Sequence, residues 1–154
     1  MNSQIKTYRR SNLPQYVLSA IVALAGAKES FVSSRAFFTL TKEAEIDGRT
    51  IVLATVSLKH PKQSYIDSIG LGAFAGPIEV GYAGAIPGFA NDVVGLIKPV
   101  LPLLQALQND RAIFATARVG NTAVENGLSE LGFERYGSPY AGEGDYDCQV
   151  WLLA

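Results

Sequence analysis

The apolar and polar positions between Ser34 and Leu58 form the clearest β pattern of the chain. Two runs rich in Phe, Thr, Ile and Val flank the dipeptide Asp47–Gly48 there, which predicts a β-hairpin with a two-residue turn. Ahead of it, "QIKTYRR" predicts a short first strand. "SNLPQYVLSAIVALAGAKESF" then predicts a helix, with Ser11 or Asn12 as cap and Pro14 in the first turn. Leu18, Ile21, Val22 and Ala25 form its apolar stripe.

"KHPKQSYIDSIGLGAFAG" is punctuated by Pro, Ser and Gly and predicts an irregular connection. "PIEVGYAGA" predicts a short strand, or one that splays at its glycines, since glycine in a strand marks a bulge or a close backbone approach. "IPGFAND" predicts a turn, with Asn91 or Asp92 capping the helix "VVGLIKPVLPLLQALQND". Pro99 and Pro102 remove backbone donors inside that helix, so a kink or break is expected near Lys98.

"RAIFATAR" predicts a buried strand, and "NTAVENGLSELGF" a helix capped by Asn121 and stopped at Gly132. "ERYGSPY" and "DYDCQVWLLA" close the chain as two strands around "AGEGD". No internal repeat, linker or low-complexity segment interrupts the order β–α–β–β–loop–β–α–β–α–β–β. Hairpins mixed with strand–helix–strand crossovers imply an α+β fold whose sheet has parallel and antiparallel pairs and right-handed crossovers.

The 154 residues fit a single domain, 1–154, large enough to hold together without metal or disulfide. A net charge of −1 gives no electrostatic reason for nucleic-acid or anionic-membrane binding, and Lys6–Arg10 reads as a solvated strand. One cysteine, Cys148, excludes an internal disulfide and reads as a small packing residue. One histidine, His60, excludes a multi-histidine metal site and reads as a solvated loop residue. The most apolar early run spans about 12 residues, short of a bilayer crossing. No leader pattern opens the chain, and a soluble cytoplasmic protein is expected.

"AIFATARVGNTAVENGLSELGFERYG" resembles the corresponding half of the Gcn5-related N-acetyltransferase (GNAT) superfamily. Asn121 follows the strand, and "LGF" at Leu131–Phe133 ends the helix, as in that family; the element order matches over nearly the whole chain. The resemblance implies a GNAT-like three-layer fold, a splayed central mixed sheet flanked by helices. It also implies acetyl-CoA (acyl-CoA) as donor and an amine on a small molecule or protein as acceptor.

By that resemblance Val80, Gly81, Tyr82 and Ala83 would pair with pantetheine along an open strand edge, as an added strand does. Gly88, Phe89, Ala90 and Asn91 would form the pyrophosphate turn at a helix start, with Asn121 also on the cofactor. Pro87 stands where the family carries a cation, and Asp92 brings a carboxylate to the helix start. Either the cofactor binds through a modified loop or the site does not hold CoA.

Glu79 would be the base that takes the amine's proton, against the alternative of a strand glutamate facing solvent. The family's acid, a tyrosine seven residues after the Asn, is Leu128 here, so Tyr136 or Tyr140 would substitute, with Tyr82 a further phenol on the strand. Glu143, Asp145 and Asp147 either solvate the closing hairpin or select a cationic substrate. The activity implied is N-acetyl transfer by direct attack. The alternatives are a binding module of the same fold without catalysis, and an enzyme using another donor. Homodimerisation is available through "CQVWLLA", whose edge is expected to be free.

Overall fold

The computed structural model describes residues 2–154. It holds a seven-stranded mixed sheet in the order β1-β2-β3-β4-β5-β7-β6, the α+β arrangement expected. The strands are β1 (Ser3–Arg9), β2 (Ala36–Ile46), β3 (Arg49–Lys59), β4 (Ile78–Ala85), β5 (Ile113–Arg118), β6 (Phe133–Ala141) and β7 (Asp147–Leu153). The helices are α1 (Gln15–Ala25), α2 (Glu29–Arg35), α3 (Gln63–Ser68), α4 (Asn91–Ile97), α5 (Leu101–Leu107) and α6 (Thr122–Glu130). The chain forms two compact units, one running up to Lys59 together with Val80–Pro99, the other His60–Glu79 with Val100–Ala154. The boundary cuts β4 after Glu79.

In the first unit β1 pairs antiparallel with β2 from Ser3↔Ala44 to Arg9↔Phe38, and β2 pairs with β3 as the predicted hairpin. Asp47 (φ 52°) and Gly48 (φ 73°) are both left-handed, the geometry of a turn that matches the twist of its strands. The expected single helix is two. Gly26 (φ 65°) ends α1 by returning its N–H to the Val22 carbonyl at 3.1 Å, and α2 restarts after Lys28. Neither expected cap acts on α1, whose cap position is held by Pro14; the Asn12 side chain instead accepts from the Arg9 N–H at 2.9 Å in a preceding 3-10 turn.

Val17, Ile21, Val32 and Ala36 form the buried centre of this unit, with Tyr8, Leu18 and Tyr82 packed on it. Gly84 is the close backbone approach: a Cβ there would lie 2.3 Å from the Leu24 carbonyl oxygen. The strand distortion, however, falls on Tyr82 (φ 47°) and not on a glycine.

In the second unit β5 meets β4 in parallel at Ile78↔Ile113 and Glu79↔Phe114, then β7 and β6 follow antiparallel. The segment expected to be irregular contains α3, whose Ile66 joins Ile69, Leu71, Phe114 and Val150 in a buried cluster. The break near Lys98 is present, a 3-10 turn over Lys98–Val100 between α4 and α5. Gly132 (φ 95°) ends α6 as expected. Asn121 holds the cap position but its side chain makes no cap bond. The expected free edge of β7 is a correction: β5 and β6 flank it on either side, which removes that route to a homodimer.

Candidate functional site

Turn chemistry shapes the segment after β4. Pro87 and Gly88 (φ 90°) occupy the central positions of a turn closed by the Phe89 N–H on the Ile86 carbonyl at 3.1 Å. Proline suits the second turn position because its missing N–H is not required there, and glycine suits the third because φ is positive. Pro87 is therefore a turn former here. Ala90 caps α4, so Asn91 and Asp92 lie inside its first turn and neither is the cap. The Asp92 carboxylate is bonded by the Lys42 ammonium of β2 at 2.9 Å. Lys42 is a cation beside this turn that spacing along the chain did not reveal, since 50 residues separate it from Asp92.

Val80 is buried, Tyr82 half-buried and Ala83 exposed, so β4 passes from core to surface as it runs. The Tyr82 ring lies under the Lys59 ammonium, 4.0 Å from the ring centre, an attraction between a cation and the aromatic face.

The second unit carries the titratable groups. Glu79 is 4% exposed, so the solvent-facing alternative is excluded. Around it are two phenols that feel its charge, Tyr65 of α3 and Tyr140 of β6. Burial pushes the Tyr65 hydroxyl well above the ordinary phenol range, and the Glu79 charge adds to that. Burial also raises the Tyr140 hydroxyl, followed by the nearby Cys148 and, more weakly, Glu79. Tyr65, Tyr140 and Thr116 of β5 are linked by side-chain hydrogen bonds, and Tyr140 is bonded to Cys148 as well. Burial raises the Cys148 thiol, partly opposed by the Arg118 guanidinium.

These hydroxyls line a pocket of about 530 Å³ with Ser68, Glu143 and Tyr146. Such a cluster can hold a polar ligand and pass a proton between oxygens. Cys148 is thus a pocket residue and not only the packing residue expected.

Tyr136 does not join this group. It is exposed, with its ring edge-on to Phe74 at 5.6 Å between centres. His60 is exposed at the end of β3, and Asn121 is exposed ahead of α6. Leu128, at the position of the family's acid, is 3% exposed and belongs to the core. Among the described residues no group of three His, Cys, Asp or Glu could hold a metal ion. Tyr65 and Thr116 were missed because their segments carry no motif; only the folding of α3 against β5 brings them together.

No family model and no curated protein matches the sequence. Solved structures do match over the full length. An acyl-CoA N-acyltransferase from Pseudomonas aeruginosa is 15% identical, with TM-score 0.67 over 99% of this chain and 100% of its own. The NatC complex bound to Gag peptide and CoA contains a chain 13% identical, TM-score 0.67, covering 99% and 98%. NAA60 of Arabidopsis thaliana, solved with a bisubstrate analogue, is 12% identical, TM-score 0.68, covering 97% of each chain.

Proposed function

We propose that this chain, which has the GNAT fold, is an acyl-CoA-dependent N-acyltransferase that acetylates an amine by direct attack. The observation that carries the proposal is Glu79: a carboxylate on β4, 4% exposed, whose charge acts on two hydrogen-bonded phenols. A buried carboxylate is costly unless something uses or satisfies it.

The residues present fit the donor. A Cβ at Gly88 would meet nothing within 4 Å, so the turn's surface is open to a ligand. Lys42 stands beside the same turn and takes up the charge of Asp92, removing the carboxylate's repulsion of a phosphate. In this proposal Val80, Gly81, Tyr82 and Ala83 offer backbone groups to pantetheine. Gly88, Phe89, Ala90 and Asn91 face the pyrophosphate, with Lys42 as the cation the turn itself lacks. Bound acyl-CoA supplies an activated acyl group. In this proposal Glu79 would take the proton of the attacking amine, a strand N–H near Tyr82 would serve the oxyanion, and Tyr140 would return a proton to the leaving thiolate. Tyr140 takes that role over Tyr136 because it shares the hydroxyl cluster with Glu79's neighbour Tyr65.

The test is acetyl-CoA binding by calorimetry, with thermal unfolding alongside. Ligand at a hundred times its dissociation constant adds about 2.7 kcal/mol of stability when only the folded chain binds it. Absence of binding at millimolar acetyl-CoA refutes the proposal. Where binding is present, Glu79→Gln is expected to lower turnover ~10²–10⁴-fold, the usual contribution of a general base. Leu128 favours a second reading, in which the fold binds acyl-CoA without turning it over; binding with no acylation of any amine in a broad panel selects it.

A further inference from the structure

The pocket of the second unit has a composition that acyl transfer alone does not explain. Its volume, about 530 Å³, lies within the ~300–1,000 Å³ range of small-ligand sites. Among the described residues that line it there is no Lys or Arg. There are instead three tyrosines, one threonine, one serine and the Glu143 carboxylate at the loop. The Glu79 charge acts on two of the tyrosines without lining the pocket. Arg118, the cation that acts on Cys148, has its guanidinium stacked on the Tyr146 ring at 3.8 Å.

The wall formed by the β6–β7 hairpin is preorganised. A Cβ at Gly142 or Gly144 would lie 2.2 Å or 2.8 Å from the Tyr146 ring, so both glycines exist to let that ring fold onto the loop. The Gly142 N–H closes the loop on the Tyr146 carbonyl at 2.9 Å. Phenol hydroxyls and the Glu143 carboxylate, with no Lys or Arg among the lining residues, select a cationic ligand. A polypeptide would also need backbone partners, as an added strand does. β7 is paired on both edges, by β5 and β6, and the pocket's volume is that of a small-molecule site.

We propose that this pocket is the acceptor site and that it takes a small primary amine in its cationic form, held by Tyr65, Tyr140 and Glu143. The acceptor role rests on the acyltransferase reading above. The ammonium gives up one proton, which Glu79, the base of the acyltransferase reading, takes as it becomes the carboxylic acid. The amine is left neutral, able to attack. Tyr65 is a substrate-binding residue in this scheme.

Cys148 is the sole cysteine and lines the pocket, so its reaction with methyl methanethiosulfonate, followed by mass, reports occupancy. Tyramine is the probe and 4-hydroxyphenylacetate, with the same ring and the opposite charge, its control. Tyramine is expected to slow the reaction at least tenfold and the acid to leave it unchanged. Tyr65→Phe and Glu143→Gln should each weaken protection several-fold while acetyl-CoA binding by calorimetry stays intact. Acetyl-CoA binding without protection by tyramine overturns the pocket assignment and leaves the acyltransferase reading standing. Equal protection by the acid overturns the ligand class, and protection by an Ala-initiated tripeptide alone overturns the restriction to small molecules. Protection by tyramine without acetyl-CoA binding overturns the acceptor role together with the reading beneath it.

Discussion

Glu43 of β2 is 2% exposed and outside the candidate site, yet it gathers more polar partners than any other carboxylate with described contacts. Its Oε2 accepts from the Tyr8 hydroxyl at 2.6 Å and from Thr41, and its Oε1 from the Tyr16 hydroxyl at 2.6 Å, with the Lys6 ammonium 3.5 Å away. Tyr8 is on β1 and Tyr16 on α1, so this one carboxylate ties a helix and two strands together. Glu43→Gln keeps the shape and removes the charge. Its amide oxygen can still serve Lys6 and Tyr16, but its NH₂ must face Tyr8 and Thr41, whose hydroxyls have to turn and accept. Three bonds pass from charge-assisted to neutral, at about 1 kcal/mol each, so the loss is about 2–4 kcal/mol. Lys6 is 41% exposed and adds little. For a chain of this length the loss corresponds to a Tm lower by about 5–15 °C.

The pH dependence distinguishes this account from simple misfit. Burial pushes the Glu43 carboxyl up, but the bonds from Thr41, Tyr16 and Tyr8 and the Lys6 charge outweigh it and hold the group below the ordinary carboxylate value. A depressed carboxyl stabilises the fold above its unfolded value, near ~4.3, and the benefit is lost as pH falls through the folded value. The gap between wild type and Glu43→Gln should therefore be constant from neutral pH to about 5 and close at lower pH. Burial, then the bond to Glu43, raises the Tyr8 hydroxyl, so that phenol's contribution is complete below its unfolded value near ~10 and declines above it. Urea unfolding from pH 2.5 to 10.5 measures both limbs. A gap that stays unchanged below pH 3, or a variant as stable as wild type at pH 7, refutes the assignment.

Gly84→Ala is expected to cost ~2–3 kcal/mol, because its Cβ meets the Leu24 backbone and neither segment can yield cheaply. Gly95→Ala, in α4 with nothing within 4 Å of its Cβ, should instead stabilise by ~0.5–1 kcal/mol, so parallel unfolding curves of the pair must shift in opposite directions. Lys42→Met should weaken acetyl-CoA binding about tenfold, the loss of one charge-assisted phosphate contact, whereas Asp92→Asn should tighten it by freeing Lys42. Calorimetric titration of both variants decides the point, and a shift in the same direction for both removes Lys42 from the phosphate site.

Local chemistry was legible wherever it was decided by neighbours in sequence. Asp47–Gly48, Pro87–Gly88, Gly132 and the prolines near Lys98 each act through the backbone of one to four residues, and each produced the turn or break expected of it. The missed features depend on distant partners. Apolar residues continue past Gly26, which hid the change of helix there, and Gly70, Gly72 and Gly76 concealed a short helix whose Ile66 is buried against residues of other elements. The free edge assigned to β7 failed because strand order in a sheet is a tertiary property: β6 returns to the outside of β7, and no pattern within either strand records this.

The candidate site divides along the same line. Glu79 is a candidate through family resemblance alone, and the phenols on which its charge acts come from Tyr65, 14 residues earlier in a helix without a motif, and from Tyr140 on β6. Leu128 shows the converse. A hydroxyl at that position would have to be satisfied inside the core where the leucine is buried, whereas Tyr140 already has a polar pocket and hydrogen-bonding partners. If a phenol serves the leaving thiolate in this chain, it is cheaper to supply it from the closing hairpin than to restore it on α6. Tyr140→Phe should then reduce turnover while Leu128→Tyr fails to rescue it and lowers Tm.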